Sequence, residues 1–328
     1  MSLLNHNPKV DPIVEVRDLK TWFPVKAGLL GRTIDHIKAV DRVSLRVNPA
    51  EIVALVGESG CGKSTLGNSL AGLLPIEQGE LFFQGNSALY KNRLQREVFQ
   101  NKVQIIFQDP YSCLNPKHTV FEILSFPLLY HKICNRREVD GYIASLLEQV
   151  GMSPEYMHRY PHSFSGGQRQ RISIARAIGM KPALIICDEI VSSLDVSIQA
   201  QIVELLLELR NKLGLALLFI AHDLSLVRTL SDRLYVMYLG KIVESGNTAQ
   251  VLSSPQHPYT RALVQSVPTL DRSRPPVILD GEVPSFSNMP QGCSFQNRCP
   301  NRTDQCLKDP DLSHLDDREV RCFHPVNS

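Results

Sequence analysis

The sequence predicts an α/β fold built on a parallel sheet. Three short apolar runs carry that expectation: Ile52-Val53-Ala54-Leu55-Val56, Ala183-Leu184-Ile185-Ile186-Cys187, and Leu215 to Ile220. Each has strand length, lacks the alternation of a half-solvated strand and adjoins a stretch of helical pattern. In residues 198–212, Ile198, Ile202, Leu205, Leu206 and Leu209 recur at helical spacing with Glu204, Glu208 and Arg210 among them, so one face of this helix packs on the sheet. Residues 112–178 hold few strand-like runs, and Val139 to Val150 has helical periodicity, which places a mostly helical subdomain there. Ten of the 21 prolines lie in residues 251–328. The expected boundary therefore falls near residue 250, between a main unit (1–250) and an extension (251–328) with little core of its own.

Composition bounds the function. The chain has 328 residues, 43% hydrophobic and 21% charged, enough apolar side chains for a sizeable core. Lys+Arg number 35 against 33 Asp+Glu, a net charge of +2 that advertises no nucleic-acid tract and no basic membrane face. The longest apolar stretch, Leu213 to Ala221, is far short of the roughly 20 residues of a membrane-spanning helix. MSLLNHNPKVDP has neither a basic nor an apolar leader region, so a cytosolic placement is expected. In that compartment the eight cysteines read as thiols or metal ligands rather than as a disulfide framework.

Residues 57–64, Gly-Glu-Ser-Gly-Cys-Gly-Lys-Ser, match G-x-x-x-x-G-K-[ST] between the first apolar strand and a helix-compatible stretch. The pattern turns up by chance in about 1% of chains of this length at ordinary glycine usage. Gly57, Gly60 and Gly62 let the backbone N–H groups of Glu58, Ser59, Cys61 and their neighbours turn toward a polyphosphate. Lys63 reaches the β- and γ-phosphates, and Ser64, followed by Thr65, ligates Mg²⁺. The second motif is Leu184 to Glu189: an apolar strand puts Asp188 at its carboxyl end to support Mg²⁺, with Glu189 beside it to orient or activate a water.

The order of the phosphate loop, Gln108, Phe164-Ser165-Gly166-Gly167-Gln168, Asp188-Glu189, Asp195 and His222 resembles the ATP-binding cassette ATPases. The resemblance implies a RecA-like core, an antiparallel β part and the helical subdomain. It also implies that Ser165, Gly166, Gly167 and Gln168 act on the nucleotide of a second, facing cassette, so that each ATP lies between two subunits. Gln108 would then sense Mg²⁺ and link to the membrane partner, Asp195 would bridge the dimer and His222 would contact the γ-phosphate. Phe23, in Trp22-Phe23-Pro24, matches the adenine-stacking aromatic, and the GLLGRTIDHIK that follows reads as a surface insertion. Two departures stand out: Phe164 where Leu is common, and Ile190-Val191 in place of Pro-Thr. Neither removes a reacting group.

Past the core, His257-Pro258-Tyr259-Thr260-Arg261-Ala262-Leu263 and the cysteine-bearing tail resemble the extension of oligopeptide, dipeptide and nickel importer ATPases. Gln108-Asp109-Pro110-Tyr111-Ser112-Cys113-Leu114-Asn115-Pro116 is similar to the glutamine loop of that group. The resemblance implies an ATPase that powers import of peptides, or of nickel chelates, from the cytoplasmic face of the inner membrane. It further implies a related second ATPase, two transmembrane permease subunits, an extracytoplasmic binding protein and no nucleic acid.

Cys293, Cys299, Cys306 and Cys322 follow C-x5-C-x6-C-x15-C without a C-x2-C knuckle. Spacing alone leaves zinc, an iron–sulfur cluster and plain thiols open. Resemblance to the importer group favours a four-iron, four-sulfur cluster. The rival function is a soluble cassette ATPase acting on nucleic acid or the ribosome, which more often carries two cassettes or a long coiled-coil insertion. A subunit that binds ATP without hydrolysing it is disfavoured by Glu189 and His222.

Overall fold

The computed structural model describes residues 11–27, 32–88, 93–267, 284–315 and 318–326. The chain opens with a long hairpin of β1 (Val14–Ala27) and β2 (Arg32–Val47), then β3 (Ile52–Val56), α1 (Lys63–Leu70), β4 (Gln78–Phe83) and β5 (Asn86–Ser87). Next come α2 (Arg93–Lys102), β6 (Val103–Ile106) and the helices α3 (Pro110–Cys113), α4 (Val120–Tyr130), α5 (Val139–Gln149) and α6 (Gly166–Gly179). The chain then alternates through β7 (Leu184–Asp188), α7 (Val196–Leu213), β8 (Ala216–Ala221), α8 (Leu224–Leu230) and β9 (Arg233–Tyr238). It continues through β10 (Lys241–Asn247), α9 (Thr248–Ser253) and α10 (Pro258–Ser266) to a small hairpin, β11 (Ser313–Leu315) and β12 (Arg318–Val320).

Eight strands form the central sheet in the order β11-β12-β10-β9-β3-β8-β7-β6. The block β9-β3-β8-β7-β6 is parallel, and β10, β12 and β11 extend it antiparallel at one edge. The apolar runs are the middle of this sheet. Every residue of β3, β7 and β8 is buried, as strands covered on both faces require. Period-two alternation then sorts their side chains into two cores. Ile52, Ala54 and Val56 enter the core shared with α4 to α7, whereas Val53 and Leu55 enter the one shared with α1 and the second sheet. That second sheet, β2-β1-β4-β5, is antiparallel.

In α7 the buried face is Ile202, Val203, Leu205, Leu206 and Leu209, and Gly214 closes the helix in the left-handed conformation at φ 65°. Between α3 and β7 the described residues form only helices and two short 3₁₀ turns. The expected surface insertion needs correction. Residues 28–31 lie outside the described residues, but residues 32–38 continue β2 and pair with β1, Phe23 opposite Ile37 and Val25 opposite Asp35. The mixed polarity that suggested a loop belongs to a hairpin exposed along most of this stretch.

The extension after residue 250 shares the main core. Tyr259, Cys293, Phe295 and Cys306 are buried in the cluster that contains β7 and α6, and β12 pairs with β10. Among the described residues no helix is long and apolar enough to cross a membrane.

Candidate active site

The phosphate loop joins β3 to α1, and neighbouring backbone decides its glycines. A Cβ on Gly62, whose φ is +108°, would stand 2.1 Å from the Ala39 carbonyl oxygen of β2. On Gly57 it would stand 2.2 Å from the Met237 carbonyl oxygen of β9. The loop is thus wedged between two strands, and the Gly240 N–H donates to the Cys61 carbonyl at 2.8 Å. The Lys63 ammonium, buried in this cradle, donates to the Gly57 carbonyl at 2.8 Å and the Glu58 carbonyl at 3.0 Å. Ser64 Oγ donates to Asp188 Oδ1 at 3.0 Å, so the serine and the carboxylate at the end of β7 meet. Burial holds the Asp188 carboxyl above the usual range, with the Ser64 hydrogen bond pulling the other way. Two hard oxygen donors beside a lysine suit Mg²⁺ and a polyphosphate.

Glu189 adopts the left-handed conformation at φ 48°, its N–H bound to the Ile220 carbonyl of β8 at 3.1 Å. This turns its carboxylate toward His222, with Oε2 at 3.8 Å from Nδ1. Gln108, exposed just after β6, donates through Nε2 to Ser192 Oγ at 3.2 Å. Ser192 Oγ in turn donates to the Glu189 carbonyl at 2.8 Å. Sequence reasoning missed Ser192, the hydroxyl that joins two motifs; it lies three residues past Glu189 without a pattern of its own. Ile190 and Val191 are buried in the core next to it, which gives the departure from Pro-Thr a packing role. Phe164 is buried likewise, edge-on to Tyr156 at 5.5 Å.

Ser165 is the N-cap of α6 in a reciprocal capping box: Gln168 N–H donates to Ser165 Oγ at 3.3 Å and Ser165 N–H to Gln168 Oε1 at 3.1 Å. A Cβ on Gly167 would meet Ile198 of α7 at 2.5 Å, so this glycine lets the two helices close up. Among the described residues no hydrogen bond or ion pair joins Ser165 to Gln168 with Lys63, Ser64 or Glu189 of the same chain. Asp195 is the exposed N-cap of α7, followed by Val196 at 81% exposure. Phe23 is 36% exposed on β1 opposite Ile37, two residues from the Ala39 that abuts Gly62.

Two further residues, both from the extension, reach the loop, a contact that no sequence pattern announced. Tyr259 Oη accepts the Glu58 N–H at 2.9 Å, and Arg298 grips the Glu58 carboxylate with two hydrogen bonds of 2.7 and 3.0 Å.

All eight cysteines are free thiols. The four late ones gather near one another: burial, then the neighbouring Cys293, Cys299 and Cys306, push the Cys322 thiol up to about 11. The iron–sulfur cluster expected on Cys293, Cys299, Cys306 and Cys322 is not supported. Among the described residues no group of three or more His, Cys, Asp or Glu is placed to hold a metal ion. Two of the thiols make local contacts: Cys306 Sγ lies 3.9 Å from Thr303 Oγ1, and Cys322 Sγ accepts from His324 N–H at 3.3 Å. Burial pushes the Cys293, Cys299 and Cys322 thiols up.

Residues 40–192 match the ABC transporter family model, and residues 243–306 match that of the oligopeptide/dipeptide transporter C-terminal region. The chain is 42% identical to the dipeptide transport ATP-binding protein DppF of Haemophilus influenzae, over 95% of this chain and 97% of that protein. It is 46% identical to the oligopeptide transport ATP-binding protein AppF of Bacillus subtilis, over 88% and 90%. For the oligopeptide transport ATP-binding protein OppF of Escherichia coli the identity is 45%, over 90% and 91%. Among solved structures, cbiO1 of Clostridium perfringens, part of the ABC transporter complex cbiONQ, superposes with a TM-score of 0.64 at 26% identity, covering 74% of this chain and 91% of that one.

Proposed function

The chain belongs to the ATP-binding proteins of ABC transporters of the oligopeptide and dipeptide type, and we propose that it spends ATP on carrying peptides inward across the membrane. Its chemistry is hydrolysis of ATP to ADP and phosphate. The observation that carries the reading is the convergence of Lys63, Ser64 with Asp188, and Glu189 with His222 at the carboxyl ends of the central strands β3, β7 and β8. The same chain continues into an extension of the peptide-transporter type.

In this reading Lys63 and the loop amides bind the β- and γ-phosphates, helped by the N-terminal end of α1. Ser64, Asp188 and Gln108 would hold Mg²⁺, which neutralises charge on the phosphates. Glu189 orients the attacking water, His222 contacts the γ-phosphate and Phe23 stacks on adenine. The Gln108–Ser192–Glu189 chain of hydrogen bonds gives the glutamine loop a route to the water-orienting residue. Ser165, Gly166, Gly167 and Gln168 face outward from their own phosphate loop in function. They complete the site of a second ATPase, a related chain, with Asp195 at the seam. Two permease subunits and an extracytoplasmic binding protein complete the assembly at the cytoplasmic face of the inner membrane, without nucleic acid. ATP favours the closed pair because it binds that state more tightly, and hydrolysis removes the bias.

Relatives named for oligopeptide and dipeptide transport favour this reading over a soluble cassette on nucleic acid and over nickel as cargo. The test is the Glu189→Gln variant in the complex reconstituted into vesicles. ATP binding is retained while phosphate release and peptide uptake stop together. Unchanged turnover removes Glu189 from this role, and turnover that stops without any effect on peptide uptake removes the cargo.

A further inference from the structure

We infer that Arg298 and Tyr259 of the C-terminal extension are positioning residues of the ATP site, acting through Glu58, the second residue of the phosphate loop. The inference rests on the ATPase reading and deepens it. Four hydrogen bonds bring it out. Tyr259 Oη accepts the Glu58 N–H at 2.9 Å. Arg298 holds the Glu58 carboxylate at 2.7 and 3.0 Å. The Glu58 carbonyl, on the same residue, is one of two acceptors of the Lys63 ammonium, at 3.0 Å. The extension therefore grips main chain and side chain of the residue against which the phosphate-binding lysine rests.

The grip is stiff. The Arg298 side chain is 5% exposed and that of Glu58 22%. Arg298 ends a short turn whose anchor, Phe295, is buried among Tyr238, Tyr259 and His257 with ring centroids 5.3, 5.4 and 5.8 Å away. Tyr259 is set by His257, which accepts the Tyr259 N–H through Nδ1 at 3.0 Å and so caps α10. This gives the conspicuous His257-Pro258-Tyr259 triplet a purpose, since the histidine and proline start a helix that presents the tyrosine hydroxyl to the phosphate loop.

Electrostatics gives the contact a sign. A free carboxylate on the phosphate loop repels a polyphosphate, and a bidentate guanidinium both neutralises it and fixes its direction. Removing Arg298 leaves that charge unpaired, so the loss is larger than that of a hydrogen bond. Removing Glu58 as well cancels most of it.

The experiment is equilibrium binding of MgATP to the purified full chain, with kcat and KM for ATP in the reconstituted complex. Arg298→Gln weakens MgATP binding by roughly tenfold or more and raises KM correspondingly, with kcat at saturating ATP within about twofold of wild type. Glu58→Gln/Arg298→Gln returns affinity to within about threefold of wild type. Should Arg298→Gln fail to melt cooperatively, Tyr259→Phe, which deletes one hydroxyl, carries the test with an expected weakening of about threefold. Wild-type affinity in Arg298→Gln, or a double variant weaker than the single, overturns the inference. In the fallback, unchanged affinity of Tyr259→Phe does the same. A wild-type chain that binds no MgATP refutes instead the ATPase reading beneath it.

Discussion

Adding one methyl group at Gly62 is expected to disable the phosphate loop, whereas the same change two residues earlier is tolerated. At Gly62 the new Cβ lands 2.1 Å from the Ala39 carbonyl oxygen, where real Cβ contacts do not fall below 3.0 Å. The loop and β2 must part by about 0.9 Å at a place where β2 is held to β1 along its length. The backbone at +108° adds strain for any L side chain, on the order of 1–2 kcal/mol. A shift of ~1 Å in a binding constellation costs about a hundredfold, and Lys63, the residue next in the chain, moves with the loop. At Gly60 φ is +77° but a Cβ meets nothing within 4 Å, so the strain alone remains. MgATP titration of the two purified variants, with thermal melts alongside, makes the comparison. Gly62→Ala is expected to lose about a hundredfold in affinity and Gly60→Ala to stay within about tenfold. Equal behaviour of the two would refute the claim that contact with β2, rather than glycine content, shapes this loop.

Other outcomes follow from burial and capping. Burial drives the His257 ring down to about 3, so the folded chain keeps it neutral while the unfolded chain protonates near pH 6.5. The stability it contributes is complete above that value and is lost as pH falls from about 6.5 toward 3. Urea midpoints between pH 7 and 4 fall in the wild type and fall less in His257→Asn. Cys322, pushed up to about 11 from 9, carries roughly a hundredfold less thiolate at pH 8 than an ordinary cysteine. Mass-spectrometric alkylation kinetics should therefore show it reacting far more slowly in the folded chain than in urea. Ser165→Ala removes one half of the α6 capping box and lowers stability by about 1 kcal/mol, read from denaturant unfolding.

What could be read from the sequence was whatever is local. Continuous apolar runs became the three central strands because burial on both faces leaves no polar position to interrupt them. The phosphate loop and Asp188-Glu189 were legible because their chemistry is compressed into a few consecutive residues. The hairpin of β1 and β2 was obscured: its outer part is solvated, and the polar residues of 32–36 hid the strand. The contribution of the extension was invisible for another reason. Glu58 and Arg298 are 240 residues apart, and nothing in either neighbourhood announces the other. The cysteine tail shows the opposite case, a suggestive spacing without a group of three or more ligands placed for a metal among the described residues, with Cys293 and Cys306 buried in the core.

The small hairpin at one end of the central sheet has a consequence for biosynthesis. β10 is buried over six of its seven residues, and its outer edge is completed by β12, whose pairing residues Glu319 and Val320 come about 70 residues later. At a synthesis rate of 5–20 residues per second, that edge stands open for roughly 4 to 15 s on the ribosome. A nascent chain in that interval presents a strand edge with unpaired backbone groups, a template for pairing with a neighbour. Crowded polysomes, rather than the finished molecule, are where the β10 edge stands open to misassembly, and a premature stop before residue 318 would make that exposure permanent.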